Sequence, residues 1–140
     1  MTKGLATFNG IAAVVLTTIA QALGGWDMAL QVLVSLVVLD YITGLMVAVF
    51  EKKLSSAIGS KGIAKKVFVF LLVYIAVLVD KATGSDLIRT LTIMFYIANE
   101  GISILENAGK LGVPYPKPLK DILIQLKKSS DGEGVTNVPE

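Results

Sequence analysis

The chain has 140 residues, of which 54% are apolar and 17% are charged, with a formal net charge of +2. Soluble domains carry about 25% charged residues, so this composition favours a membrane protein and excludes a disordered chain. The absence of Cys and His excludes a disulfide framework, a thiol nucleophile and a Cys-based zinc site, and it removes the commonest general base and metal ligand. We therefore expect no enzymatic activity and no cofactor.

Four apolar segments predict an all-α membrane protein with transmembrane helices over residues 5–25, 28–50, 64–83 and 87–107. A helix needs about 20 residues to cross the hydrocarbon core. The second segment fits best, because it is 23 residues long and has one charge. The third holds an apolar run of only 13 residues and reaches span length only if the flanking charges snorkel to the interfaces. Polar residues interrupt the first segment, which could instead lie along the interface.

The distribution of Lys residues predicts the orientation of these helices. Residues 51–66 and residues 110–128 each carry five Lys and a single acidic residue, whereas the turn at 24–27 has no basic residue. Basic residues in short connections stay on the cytoplasmic side. We therefore predict four crossings with both termini in the cytoplasm. Trp26 would then mark the outer interface.

The C-terminal region predicts a short cytoplasmic helix after the bundle of residues 1–112. Three prolines, Pro114, Pro116 and Pro118, favour a stiff extended link. An apolar helix face follows within residues 113–128, and it consists of Leu119, Ile122, Leu123 and Leu126. Such a short helix needs a membrane surface or a neighbouring subunit to dock on. The polar end, residues 129–140, is predicted to be disordered.

Asp40 lies near the middle of the second segment, where a charge costs about 2.5–3.5 kcal/mol. It could be protonated and bonded to a neighbouring helix, or it could face water once the protein assembles. Gly44 and Ala48 continue its stripe at four-residue spacing and predict close helix packing.

The fourth segment carries a polar stripe at three- and four-residue steps, with apolar residues on its other side. It could lie on the surface, cross with the stripe buried inside one chain, or cross with the stripe facing water or other copies. We favour the last interpretation, because one chain offers few other polar intramembrane groups. The predicted oligomer-contact or pore-lining residues are Asp40, Arg89, Thr92, Tyr96, Asn99, Glu100, Ser103 and Asn107.

The basic connection between the second and third segments predicts contact with anionic lipid headgroups. Its lysines are Lys52, Lys53, Lys61, Lys65 and Lys66. A nucleic-acid site is not expected, because the connection has no Arg and no aromatic residue for stacking. No metal site and no catalytic arrangement of residues is predicted.

Three motifs in order resemble the toxin-secretion/phage-lysis holin family. They are LDYITG at 39–44, KKLSSAIGSKGIAKK at 52–66 and IANEGISILENAG at 97–109. The resemblance extends from Gly24 to Leu126. It implies a small inner-membrane protein that assembles with copies of itself and opens lesions, through which an endolysin or a large toxin leaves. The alternative is an antiholin or a small channel or transporter subunit without lytic activity.

Overall fold

The computed structural model describes residues 2–132, which form five α-helices and contain no strand. The helices are α1 (Thr2–Ala22), α2 (Met28–Phe50), α3 (Ser56–Thr83), α4 (Leu87–Lys110) and α5 (Lys117–Ser130). The predicted all-helical fold is confirmed for this part of the chain. Ser129 and Ser130, predicted to be disordered, belong to α5, and residues 133–140 of the predicted tail lie outside the described residues.

Three of the five helices, α1, α2 and α3, are long and apolar enough to cross a membrane. α4 does not reach the same hydropathy, because its polar stripe lowers the average. Four crossings with cytoplasmic termini therefore stay a prediction. α1 meets the criterion, but the choice between a crossing and an interfacial position also stays open for it.

α3 begins at Ser56, eight residues before the predicted start. Ser55 caps it, since the Ser55 hydroxyl accepts a hydrogen bond from the Ile58 backbone N–H at 3.2 Å. The prediction of a connecting loop over residues 51–66 is therefore wrong for its second half. Lys61, Lys65 and Lys66 therefore lie on a helix, which determines the side of α3 from which each of them extends.

The core lies between α2, α3 and α4. Leu30, Leu33, Val73 and Ile93 are fully buried there. α4 is the central helix, because it packs against α2, α3 and α5. Past Ile88 it exposes no large apolar side chain, whereas α1, α2 and α3 expose many. α4 is thus surrounded by protein, and a helix in that position does not need an apolar surface on every side.

α1 stands apart from this bundle. None of its residues is buried, and it forms no extensive contact with another helix. Leu23, one residue past the end of α1, is buried in the core and attaches α1 to the bundle. The large apolar side chains of α1, such as Phe8 and Leu16, are exposed on all sides, as expected for a helix surrounded by lipid.

α5 runs back along α4 and docks on it. Leu123 packs against Gly101, and Leu126 packs against the core. The expectation that α5 requires a membrane surface or a neighbouring subunit is wrong, since its docking surface belongs to the same chain. The predicted apolar face is only partly used: Leu123 and Leu126 are half-buried, whereas Leu119 and Ile122 are exposed.

Candidate functional site

The centre of the bundle holds a charge cluster formed by one residue from each of three helices. The Lys66 ammonium of α3 forms ion pairs with the Asp40 carboxylate of α2 and with the Glu100 carboxylate of α4. These side chains are 18%, 11% and 4% exposed, respectively. With all three groups ionised, the cluster has one positive and two negative charges. It ties α2, α3 and α4 together at one level of the bundle.

Asn107, which follows Glu100 on α4, also bonds to Asp40. The Asn107 amide donates to Asp40 Oδ1 at 3.2 Å and to Thr43 Oγ1 at 2.9 Å. Gly44 lies beside this amide, since a Cβ on Gly44 would be 3.9 Å from Asn107 Nδ2. Ala48 is buried on the same helix. The LDYITG motif therefore contributes both an acid and a close-packing surface to the contact between α2 and α4.

The polar groups of this cluster have partners within the chain, contrary to the interpretation favoured from the sequence. Among the described residues, no buried side-chain nitrogen or oxygen lacks a hydrogen-bond partner. The expectation that Asp40, Glu100 and Asn107 wait for neighbouring copies or water is therefore wrong for the single chain. Satisfaction inside one fold, an alternative left open by the sequence, is what the structure shows.

Lys66 was wrongly assigned to contact with lipid headgroups, because residues 51–66 were predicted to form a loop. Its ammonium is directed into the bundle, whereas Lys52, Lys53, Lys61 and Lys65 are exposed. A signal for this was present in the sequence. Lys66 begins a stripe at three- and four-residue steps that α3 turns towards the core. The other members of the stripe are Val69, Val73, Ala76, Val77 and Asp80.

At the end of the bundle where α4 begins, Arg89 holds the turn between α1 and α2. Its guanidinium donates from Nε to the Leu23 carbonyl at 2.6 Å and from Nη2 to the Gly25 carbonyl at 3.1 Å. Arg89 Nη1 also pairs with Asp27 Oδ2 at 2.7 Å. Gly24 is required here, because its φ is +90° and a Cβ would lie 2.3 Å from Arg89 Nε. In the single chain Arg89 therefore holds a turn in place.

Asp80 supports the same end of the bundle from α3. Its two carboxylate oxygens accept hydrogen bonds from the backbone N–H groups of Ile88 at 3.0 Å and Arg89 at 2.8 Å. A carboxylate at a helix N-terminus is favoured by the unpaired N–H groups and by the helix dipole. Asp80 therefore caps α4, a role that sequence reasoning missed because it treated the residue only as an interfacial charge.

The ion pair with Arg89 makes part of the stability acid-sensitive. The Arg89 guanidinium holds the pKa of the Asp27 carboxyl below its usual range, against a smaller opposing effect of burial. A lowered pKa contributes stability that is present above the ordinary pKa of Asp, about 4, and is lost as the pH falls through the lower value.

We therefore expect Asp27→Asn to lower the thermal midpoint at pH 7 and to reduce its fall on acidification below about pH 4. Unfolding of the purified protein in detergent, followed by circular dichroism at pH 7 and at acidic pH, measures both. Asp86→Asn is the control, since Asp86 is exposed and forms no side-chain capping bond. Equal acid sensitivity of wild type and Asp27→Asn would contradict the assignment.

The remaining residues of the polar stripe share one side of α4 but have different surroundings. The Thr92 hydroxyl donates to the Ile88 carbonyl at 2.7 Å, within α4. Tyr96 and Ser103 line a cavity between α3 and α4. Asn99 lies between this cavity and α5, because it also accepts a hydrogen bond from Lys127. The structure thus brings together Asp40, Glu100 and Asn107. Arg89 and Thr92 lie apart from them, near the start of α4.

The contact between α4 and α5 combines polar and apolar interactions. Lys127 Nζ donates to Asn99 Oδ1 at 3.0 Å and lies 5.5 Å from the centre of the Phe95 ring. One turn earlier on α5, Leu123 fills the space left by the missing side chain of Gly101. This contact covers the part of the polar stripe around Asn99.

Comparisons with known proteins agree with the motifs. Residues 17–128 match the bacteriophage holin family. An uncharacterized 14.9 kDa protein of Clostridium perfringens is 46% identical over 105 residues, which cover 74% of this chain and 80% of the relative. An uncharacterized protein of Halalkalibacterium halodurans is 42% identical over 122 residues, covering 83% of this chain and 90% of the relative.

A third relative has a functional name. The protein named probable holin of Bacillus phage phi105 is 35% identical over 103 residues, which cover 73% of this chain and 76% of that protein. No solved structure matches the chain. Together with the three apolar helices, these findings indicate a membrane protein with a holin role. By its sequence match across α2, α3, α4 and most of α5, the chain belongs to the bacteriophage holin family.

Proposed function

We propose that this protein inserts into the bacterial inner membrane, associates with copies of itself and opens lesions through which an endolysin or a large toxin passes. The observation that carries the proposal is the family match over residues 17–128. The relative from phage phi105 supports it by its name. A holin role also suggests a protein without enzymatic activity.

We further propose that α4 crosses the membrane with α1, α2 and α3, leaving both termini in the cytoplasm. The excess of Lys in residues 51–66 and 110–128 supports this orientation. The central position of α4 supports the crossing. Its polar residues are shielded by α2, α3 and α5, so the low hydropathy of α4 is compatible with a membrane-embedded position.

The sequence analysis expected unsatisfied polar groups to drive assembly, but these groups pair inside the single chain. Because Asp40 and Glu100 already have partners, crowding alone exposes no unsatisfied charge to a neighbouring copy. The part of the α4 stripe that a conformational change can free most readily is the part under α5. This helix has no buried residue and holds Asn99 through one side-chain hydrogen bond.

In the proposed sequence of events, α5 first leaves α4 while the Lys66 cluster keeps α2, α3 and α4 together. Asn99 then becomes available to another copy or to water, beside Tyr96 and Ser103, which already line the cavity between α3 and α4. Polar side chains in a membrane favour association with a neighbouring helix that can bond to them. Asp40, Glu100 and Asn107 would hold the bundle together during this step, and Lys52, Lys53, Lys61 and Lys65 would keep its cytoplasmic end at anionic headgroups.

The alternative is an antiholin or a small channel or transporter subunit. One observation favours it: the described part of the single chain leaves no buried polar side chain without a partner. A chain whose buried polar side chains all have partners within it gains no hydrogen bonds there by associating, so it can remain in the membrane without forming lesions.

Expression in bacteria together with a cytoplasmic endolysin distinguishes these functions. A holin is expected to stop growth abruptly and, with the endolysin present, to cause a sharp fall in culture turbidity. The same culture without endolysin is the control, and there growth should stop while turbidity persists. Unchanged growth, a delay of lysis by another holin, or ion leakage without release of the endolysin would contradict the proposal and support the alternative.

A further inference from the structure

A cavity of about 530 Å³ lies between α3 and α4, next to the charge cluster. α3 contributes three successive kinds of side chain to it, in the order Lys61 and Lys65, Phe68, and Leu72. α4 contributes Asn99 and Ser103. The cavity is therefore basic at one end, apolar further along α3, and polar along α4. The proposed function uses some of these residues one by one but assigns no ligand to the cavity that they form together.

The basic end of the cavity has no counter-charge from the described part of the chain. Lys61 and Lys65 are exposed, are one helical turn apart and form no ion pair among residues 2–132. Lys66 differs, because Asp40 and Glu100 already neutralise it. The cluster therefore offers no uncompensated positive charge, and an anionic ligand is held at the Lys61 and Lys65 end.

The rest of the cavity suits a ligand with an apolar part. Phe68 and Leu72 are exposed and follow Lys65 on the same side of α3, towards the apolar middle of the helix. On α4, the Ser103 hydroxyl and the Asn99 amide can bond to neutral oxygen atoms. A small inorganic anion would use only the lysines, whereas an amphipathic anion would use the whole surface.

We propose that this cavity binds one anionic phospholipid, with the phosphate between Lys61 and Lys65 and an acyl chain along Phe68 and Leu72. Basic pockets between transmembrane helices on the cytoplasmic side bind such headgroups. The proposal deepens the proposed function and rests on its placement of residues 51–66 at the inner leaflet. It differs from general attraction of a basic segment to the membrane, because it selects two of the four exposed lysines in residues 51–66.

Native mass spectrometry of the full-length protein, released from bilayers of phosphatidylcholine with a minor fraction of phosphatidylglycerol, tests the site. Wild type is expected to retain one phosphatidylglycerol in preference to phosphatidylcholine. The double variant Lys61→Gln/Lys65→Gln should lower that retention about tenfold or more, because each lysine contributes to headgroup binding. Lys52→Gln/Lys53→Gln removes the same charge outside the cavity. It weakens only the general attraction of the protein to the membrane surface, so the released protein should retain the one bound lipid as wild type does.

A second variant tests the apolar part without changing charge. Phe68→Gln/Leu72→Gln should also lower retention, although both lysines are present. Circular dichroism and thermal midpoints show whether each variant keeps its fold, and a phosphatidylglycerol-dependent rise of the wild-type midpoint gives an independent measure of binding.

Three results would overturn the site. They are equal retention of both lipids by wild type, equal loss in the Lys52/Lys53 control, and displacement of phosphatidylglycerol by millimolar inorganic phosphate. The last would show that the ligand is a soluble phosphate. Lysis is measured separately, so a chain that lyses cells without selecting the lipid would disprove only this site. A chain that selects the lipid without lysing cells would disprove only the holin function.

Discussion

Lys66→Met is expected to have the largest effect on stability, about 3–5 kcal/mol, because it leaves two carboxylates together inside the bundle without a counter-ion. Asp40 and Glu100 are largely buried and have no other cation beside them among the described residues. The measurements are the amount of protein that accumulates in the membrane and the midpoint of unfolding in detergent.

Two further variants make this result specific. Lys65→Met changes the neighbouring residue, which is exposed and forms no ion pair in the described part of the chain, and should have little effect on the midpoint. Adding Asp40→Asn and Glu100→Gln to Lys66→Met removes all three charges and should recover much of the lost stability. A Lys66→Met protein as stable as wild type would show that the cluster does not hold the helices together.

Gly101→Leu is expected to have the largest effect on timing and to bring lysis forward. A Cβ at position 101 would lie 2.9 and 3.1 Å from the two methyl carbons of Leu123, so a leucine side chain there displaces Leu123 and weakens the docking of α5. If α5 restrains assembly, its displacement shortens the delay before lysis. The measurement is the onset of lysis at matched amounts of protein in the membrane.

Gly109→Leu is the matched control, since it makes the same change in the same helix. A Cβ at position 109 has no atom of another residue within 4 Å, whereas both substitutions raise the helix propensity in the same direction. Trypsin digestion of inverted membrane vesicles reports docking independently, because released α5 exposes Lys127. Earlier cleavage without earlier lysis would show that α5 detaches but does not control assembly.

Several features of the fold were predictable because they depend on residues close together in the chain. The predicted limits of the second segment coincide with those of α2, whose start is set by the Asp27 cap. The polar stripe of the fourth segment was recognised from its spacing. Glu100 and Asn107 of this stripe are buried in the bundle, although the favoured prediction was that they face water or other copies. The start of α3 was not predicted, because the five lysines of residues 51–66 were interpreted as a basic loop and the N-cap residue Ser55 was not considered.

The partners of the polar residues were not predictable in the same way. Lys66 and Asp40 are 26 positions apart, and Asn107 and Asp40 are 67 apart. A helical wheel states which residues share a side of one helix, but it does not state which way that side turns in the bundle. The sequence analysis therefore assigned Asp40 and Glu100 to neighbouring copies, although a lysine of the same chain was available.

By itself the sequence determined the helical membrane character, the positions of the polar residues along each helix, the charge asymmetry of the connections and the likeness to holins. The first three follow from composition, charge distribution and short-range periodicity, whereas the likeness to holins follows from the resemblance of three motifs to that family. Only the tertiary structure decided that Lys66 pairs with Asp40 and Glu100, and that α5 lies on α4. It also decided that Arg89 and Asp80 hold the end of the bundle where α4 begins. The physical reason is that buried charges take their partners from whichever helix faces them, and the facing depends on how all the helices pack at once.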